Sequence, residues 1–176
     1  ELMEVWPGVS VNPVNGLGEA EHSPPRPVFW RTDESIRHTD VLFYFYDRYK
    51  DNERIKKTRE YRQKNAAMEV SEIAAEAADA PTEGWTEAVK NAALECGADE
   101  AGICEYRPEW TYVDRPQPNG KWCIVMGFEH DFAELATAPD ESAYIAVMNQ
   151  YGRAGGAAKR LANWIRSQLF KNSKSR

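Results

Sequence analysis

Residues 150–168 read QYGRAGGAAKRLANWIRSQ, and the three glycines in this stretch (Gly152, Gly155 and Gly156) decide between two kinds of fold. A phosphate-binding loop lies between a strand and a helix and ends in Gly-Lys followed by Ser or Thr, whose hydroxyl helps to hold magnesium. Here Gly-Gly-Ala-Ala-Lys lacks that hydroxyl, and apolar residues continue at spacings of three and four on both sides of the glycines. The sequence therefore predicts one long helix from Pro139 to about Gln168, with the glycines inside it.

The glycines need an explanation, because glycine inside a helix is about 1 kcal/mol less favourable than alanine. Gly152 and Gly156 are one helical turn apart, so we expect something to approach the helix backbone closely along this line. A neighbouring helix or strand and a bulky cofactor both satisfy that requirement. The neighbouring element is the simpler interpretation.

Two strands are predicted ahead of this helix, ADEAGICEY at 98–106 and KWCIVMGFE at 121–129. The second has no polar side chain between Trp122 and Phe128, which is typical of a strand covered on both faces. We expect both strands to belong to one sheet, and their order in that sheet stays open.

A shorter helix is predicted to begin at Trp85 and to end at Cys96, with Gly97 after the last turn, where glycine is common. This helix and the long one beginning near Pro139 would flank the sheet. The predicted fold class is α/β in the broad sense (α+β): a mixed sheet flanked by helices and preceded by an irregular arm.

Composition divides the chain into four parts. Residues 1–46 are rich in proline, glycine and asparagine and predict the irregular arm, although VLFYFY at 41–46 fits either a buried strand or the start of a helix. Residues 47–80 predict one charged surface helix. Its run ERIKKTREYRQK is either a phosphate-binding face or a solvated face, and the solvated face is favoured. Residues 81–168 form the predicted core, and 169–176 form a polar tail.

Charge and cysteine content exclude several classes of function. The net charge of −6 in 176 residues makes no nucleic-acid partner evident. No apolar stretch approaches the roughly 20 residues that cross a bilayer, so we expect a soluble protein without a membrane span. Cys96, Cys104 and Cys123 lack the spacing of zinc or ferredoxin-type sites and are expected to be reduced thiols in a cytoplasmic protein.

Short motifs follow one another in a fixed order over roughly half of the chain, from about Trp85 to Gln168. They are Leu94-Glu95-Cys96-Gly97-Ala98-Asp99, Gly102-Ile103, Ile124-Val125-Met126-Gly127, and Tyr151-Gly152 through Ile165-Arg166. Their order and spacing resemble the segment ahead of the iron–sulfur motifs in corrinoid-dependent reductases. These enzymes are the reductive dehalogenases and their relative, the epoxyqueuosine reductase of tRNA modification. The upstream FWRTDESIRHTDVLFYFYDRY and the later GFEHDF look more like the dehalogenase branch.

The resemblance implies a nitroreductase-like core that holds a cobalamin, followed by a domain with two 4Fe–4S clusters. In the dehalogenases, an electron donor supplies the clusters, the clusters reduce the cobalt, and an organohalide loses its halogen with help from a tyrosine acid. The chain departs from the family after Gln168, where the family usually continues with glycine and an aromatic residue, whereas Leu169-Phe170 here leads into KNSKSR. The cluster cysteines, the later cobalamin-contacting segments and the tyrosine acid would lie beyond that point.

Residues 81–168 are therefore interpreted as a partial nitroreductase-like, corrinoid-reductase core, and the chain as the amino-terminal part of a reductive dehalogenase-like enzyme, inactive alone. Three alternatives stay open. They are a non-catalytic ligand-binding module of nitroreductase-like fold, an epoxyqueuosine reductase-like tRNA-modification enzyme, and a flavin-dependent nitroreductase-like enzyme. The last would need a basic phosphate-binding patch, which the sequence does not locate.

The candidate site is GFEHDF at 127–132, because ligands in α/β proteins bind in loops at strand ends. Phe128, His130, Asp131 and Phe132 are the predicted cofactor- or substrate-binding residues; catalytic residues are not assigned. The phenylalanines can line a wall, and a histidine between two carboxylates favours its protonated form, which suits a proton donor. If the resemblance is sound, His130 and Phe132 face the corrinoid and substrate cavity. A solvated loop is the alternative, and adjacent residues suit a metal ion poorly.

Overall fold

The computed structural model describes Pro25, residues 39–75, Pro81 and residues 84–168; for residues 39–42 and Phe45 it describes the backbone alone. These residues form an α+β arrangement, which confirms the coarse fold class. In chain order the elements are α1 (Thr39–Arg48), α2 (Glu53–Ala66), α3 (Trp85–Glu95), β1 (Glu100–Glu105), a 3-10 turn (Pro108–Trp110), β2 (Trp122–Gly127), α4 (Phe132–Leu135) and α5 (Glu141–Gln168).

Helix α5 confirms the prediction of one long helix. It runs for 28 residues and contains all three glycines, so the phosphate-loop interpretation is excluded. The helix begins at Glu141 rather than at Pro139. The Glu141 carboxylate accepts hydrogen bonds from the Asn52 amide and from Arg54 Nη1, the latter at 2.5 Å, and these contacts join the start of α5 to the start of α2.

The element that requires glycine in α5 is α2, which packs along it. A Cβ atom on Gly152 would lie 2.6 Å from the ring of Tyr61, and one on Gly156 would collide with the side-chain amide of Asn65. Gly155 points into open space. The predicted close approach at Gly152 and Gly156 is confirmed, and a neighbouring helix rather than a cofactor causes it.

Strands β1 and β2 belong to one sheet, as predicted, and they pair directly with each other. They are antiparallel, in a register that runs from Glu100 opposite Gly127 to Glu105 opposite Trp122. The expectation that β2 is covered on both faces is wrong for the described residues, since the Val125 side chain is 54% exposed. An antiparallel pair can leave one face to solvent, and an apolar run does not reveal which face that is. A mixed sheet needs further strands and stays a prediction.

The core lies between the other face of the sheet and the two helices predicted to flank it. Ala92 and Ala93 on α3 and Leu161 on α5 are almost completely buried at its centre. Around them pack Cys96, Ala101, Ile124, Met126, Trp164 and Ile165.

Helix α3 ends as its sequence predicts. Gly97 follows the last turn with a φ of 107°, a conformation that side chains with a Cβ rarely adopt. Its N–H donates to the carbonyl of Leu94, and the N–H of Ala98 donates to the carbonyl of Ala93. This Schellman arrangement turns the chain from α3 directly into β1.

The single helix predicted for residues 47–80 is wrong. Helix α1 ends at Arg48, and α2 begins afresh after Asn52, whose side-chain oxygen accepts a hydrogen bond from the N–H of Ile55 at 3.1 Å. An asparagine that caps the next helix in this way competes with continuing the previous one. Helix α2 ends at Ala66.

Residues 68–75 are non-helical, although Met68, Val70 and Ile73 have helical spacing. Their backbone binds polar side chains of α5 instead. Asn163 accepts from the N–H of Ser71 at 2.7 Å and donates to the carbonyl of Glu69, while Arg166 donates to the carbonyl of Ser71 at 3.1 Å. Residues 76–80 lie outside the described part of the chain.

The irregular arm predicted for residues 1–46 is helical at its end, because 41–46 lie in α1; this settles the strand-or-helix ambiguity. The rest of the arm, apart from Pro25 and the start of α1, and the tail 169–176 lie outside the described residues.

Candidate functional site

The loop 127–132 leaves β2 and is fastened to two other elements through one residue. The backbone N–H of Glu129 donates to Asp99 Oδ2 at 2.7 Å, next to the start of β1. The carbonyl of Glu129 accepts from Gln150 Nε2 on α5, also at 2.7 Å. Both backbone polar groups of Glu129 are therefore satisfied by side chains, which hold the loop against the middle of the long helix.

Arg153, one turn along α5 from Gln150, links the sheet and the loop. Its Nη2 lies 2.6 Å from Asp99 Oδ1, and its guanidinium carbon lies 5.4 Å from the centre of the Phe128 ring, within the range of a cation–π contact. The Arg153 guanidinium and then the N–H of Glu129 lower the pKa of the Asp99 carboxyl below its usual value. Phe128 is thus a packed, positioned ring.

His130 is half-buried, and its Nδ1 atom is enclosed by protein without a hydrogen-bond partner in the described residues. The same holds for Oε1 of Gln150, whose Nε2 binds the residue before His130. Buried polar atoms are nearly always paired with protein, water or a ligand. His130 Nδ1 and Gln150 Oε1 are two such atoms, and Glu129 connects the side chains that carry them. A ligand at this loop could supply their missing hydrogen bonds.

Asp131 and Phe132 differ in role from the other two candidates. Asp131 Oδ1 accepts from the N–H of Glu134 at 3.1 Å and so caps the short helix α4, which is a structural task. Phe132 begins that helix and is 83% exposed. Phe132 lines none of the cavities described here. A ligand or another part of the protein would have to cover its ring.

A cavity that sequence reasoning missed lies at the opposite end of β2 from the loop 127–132. We call it the tryptophan pocket; its volume is about 480 Å³, within the range of small-molecule sites. The signal that could have found it is the position of three tryptophans, because Trp85 begins α3, Trp122 begins β2 and Trp164 lies near the end of α5. The lining consists of Trp85, Thr86, Val89, Ile103, Trp122, Ile124, Trp164, Ile165 and Gln168.

The three thiols do not converge. Cys104 and Cys123 are paired across the strands, on the face of the sheet opposite to Ile103 and Ile124, whereas Cys96 packs against the core. Across residues 39–75 and 84–168 there is no group of three or more histidine, cysteine, aspartate or glutamate side chains that could hold a metal ion.

Among the helices that the structure describes, none is both long enough and apolar enough to span a bilayer. Comparison of the chain with protein-family models, with curated protein sequences and with solved structures gave no match.

Proposed function

We propose that the chain is the amino-terminal part of a cobalamin- and iron–sulfur-dependent reductase of the reductive dehalogenase type, and that it is inactive alone. The order of α3, β1, β2 and α5 agrees with the order that the resemblance implies. The observation that carries the proposal is the loop 127–132. Its backbone is held at Glu129, while His130 Nδ1 and Gln150 Oε1 are buried without partners.

The residues of this loop suit one edge of a cobalamin- and substrate-binding site, and the rest of that site would come from other parts of the enzyme. His130 presents a ring nitrogen that can donate or accept a proton, and the anchored Glu129 on one side and the capping Asp131 on the other limit how far it moves. Phe132 offers an exposed aromatic ring to a flat apolar ligand. In the complete enzyme, cobalamin would supply the reduced metal that attacks the organohalide.

The cluster ligands of such an enzyme would come from outside this chain. A 4Fe–4S cluster is held by clustered thiolates, and Cys96 is separated from Cys104 and Cys123 by the sheet. The chain would contribute one wall of the cobalamin and substrate cavity, and electrons would reach that cavity from the part of the enzyme that binds the clusters and the electron donor.

The test is the rate of halide release from an organohalide by the enzyme that contains this chain, at fixed cobalamin occupancy. We expect His130→Ala to lower the rate by about tenfold or more, since a positioned proton-transfer group contributes roughly 10²–10⁴. Phe132→Ala should also lower the rate, because it removes the exposed ring that would contact the ligand. Cluster content should be unchanged. Phe43→Ala is the matched control, because Phe43 is also an exposed phenylalanine but lies on α1. Rates equal to the parent for both loop variants would overturn the proposal.

The tryptophan pocket favours a second candidate function, a non-catalytic ligand-binding module. Its side-chain lining is apolar except for Thr86 and Gln168, so it suits an uncharged aromatic compound. Titration of the chain with a halophenol should quench tryptophan fluorescence, and Trp164→Phe should weaken the binding. Trp110→Phe is the control, because Trp110 lies in the 3-10 turn outside the pocket. Binding without any halide release in the complete enzyme would favour this second function over the first.

A further inference from the structure

Another cavity lies where α1, α2 and α5 meet, away from the loop 127–132. Its volume is about 370 Å³. We call it the guanidinium pocket; it is lined by Tyr46, Arg59, Arg62, Gln63, Ala66 and Tyr144. Two guanidinium groups, two phenols and one amide thus share a cavity that has no carboxylate in its lining.

Arg59 is held rigidly in this pocket. Its guanidinium carbon lies 5.2 Å from the centre of the Tyr46 ring and 5.8 Å from that of Tyr144. Its Nε atom donates to the hydroxyl of Tyr144 at 3.3 Å. The phenols therefore fix the plane and the direction of the guanidinium before any ligand arrives.

One nitrogen of the Arg59 guanidinium makes no hydrogen bond to the described residues. Arg59 Nη2 is enclosed by protein and has no hydrogen-bond partner among the described residues. A buried charged donor without a partner is strongly unfavourable, and in native proteins such a group usually marks a water or an ion. Because Arg59 lines the cavity, a ligand bound there would lie beside this guanidinium.

Two carboxylates at the starts of α2 and α5 are paired with cations other than Arg59 and Arg62. Glu53 pairs with Lys56 at 2.7 Å, and Glu141 pairs with Arg54 at 2.5 Å. Neither Arg59 nor Arg62 forms an ion pair with a carboxylate whose side chain the structure describes. The positive charge of the pocket is therefore not neutralised from within this part of the chain.

We propose that the guanidinium pocket binds a small molecule through a carboxylate or phosphate group, with Arg59 Nη2 as the buried donor and Arg62 as the second positive charge. A guanidinium matches the paired oxygens of both anions, and its hydrogen bonds to them are among the strong ones in proteins. The phenols of Tyr46 and Tyr144 form the aromatic walls. Burial, and then the neighbouring Tyr144, raise the pKa of Tyr46, so its phenol stays protonated at neutral pH.

The pocket accounts for two cations of the basic run of α2, for which a phosphate-binding face was the less favoured interpretation. Of its cations, Arg59 and Arg62 line the cavity, while Lys56 pairs with Glu53 and Lys57 is exposed outside the lining. A small, partly open cavity with two cations suits one small anion, whereas a nucleic acid needs an extended basic surface.

The test is calorimetric titration of the 176-residue chain with inorganic phosphate and, separately, with benzoate. We expect saturable binding of at least one probe, and the tighter probe identifies the anion. Arg59→Gln and Arg62→Gln should each weaken it about tenfold, the effect of losing one charge-assisted hydrogen bond. Lys57→Gln is the matched control and should leave the affinity within about twofold, as expected for an exposed charge outside the site.

Arg62 is exposed, so Arg62→Gln decides the question if Arg59→Gln fails to fold, as judged by circular dichroism. No saturable binding of either probe up to millimolar concentration, or equal weakening by Lys57→Gln and Arg62→Gln, would overturn the proposal. Either result would leave the proposed reductase function untouched, because that function depends on the loop 127–132.

Discussion

Arg153 shows how one side chain organises the candidate site. It binds Asp99 at the start of β1, lies over Phe128 and extends from the same face of α5 as Gln150. Asp99 in turn accepts the N–H of Glu129. The sheet, the loop and the long helix therefore meet at one ion pair, and weakening that pair should loosen the loop and the fold together.

Asp99→Asn tests this ion pair through pH. The pKa of Asp99 is lowered in the folded chain, so the stabilisation by its charge is fully present above the unfolded pKa of about 3.9 and is lost as pH falls through the lower folded pKa. We expect the parent to unfold at higher urea than Asp99→Asn at pH 7, and the difference to shrink in acid. Asp114→Asn, an exposed loop position, controls for the loss of one negative charge. If the parent and Asp99→Asn differ in urea midpoint by the same amount at pH 7 and in acid, the Asp99 carboxylate is not the source of the stabilisation.

At the scale of elements, the contact between α2 and α5 decides why the long helix contains glycine. Tyr61 and Asn65 on α2 occupy the space that side chains at Gly152 and Gly156 would need, and Glu141 joins the starts of the two helices. The extended residues 68–75 then follow α5 further along. Most of α5 is therefore covered by the chain that precedes the sheet.

Gly152→Ala and Gly155→Ala separate helix propensity from helix packing. Alanine favours a helix by about 1 kcal/mol over glycine, so Gly155→Ala, which points into open space, should stabilise the chain by up to that amount. Gly152→Ala should destabilise it by about 1–3 kcal/mol, because the new Cβ would lie 2.6 Å from the Tyr61 ring. Urea unfolding of both variants measures this. Equal stabilisation by both would show that α2 does not pack closely at Gly152.

At the scale of the whole molecule, different surfaces lie at the two ends of β2. The loop 127–132 lies at one end, with ionisable groups anchored to α5, and the tryptophan pocket lies at the other. The guanidinium pocket lies on the far side of α5, against α1 and α2. No residue of the loop lines either pocket, and the two pockets share no lining residue.

We expect the isolated chain to bind no iron–sulfur cluster. Cys104 and Cys123 are opposite each other on one face of the sheet, and Cys96 packs on the other side. The three thiols of this chain therefore do not gather at one point, and a 4Fe–4S cluster needs four cysteine ligands. Anaerobic reconstitution followed by iron and sulfide analysis measures this. A stoichiometric cluster in the isolated chain would contradict the observed separation of the thiols. It would also contradict the proposal that the cluster ligands come from outside this chain.

Local patterns in the sequence determined the two helices that pack on the sheet, the two segments that form strands and the glycine that ends α3. These features depend on residues close together in the chain, where apolar spacing and backbone preference act directly. The sequence also located the loop 127–132, since it follows an apolar strand. It predicted one helix over 47–80 wrongly, because the cap at Asn52 and the binding of residues 68–75 to Asn163 and Arg166 compete with helical propensity.

Tertiary structure alone decided which side chains meet. The ion pair of Asp99 with Arg153 joins residues far apart in the chain, and so does the contact of Arg59 with Tyr144. The sequence cannot show such pairs, because nothing in the local sequence around a charged residue tells whether its side chain contacts water or a distant partner. The exposed face of β2, the tryptophan pocket and the unpartnered Arg59 Nη2 likewise follow from how the elements pack, since packing determines what covers an apolar run and which polar atoms lose water.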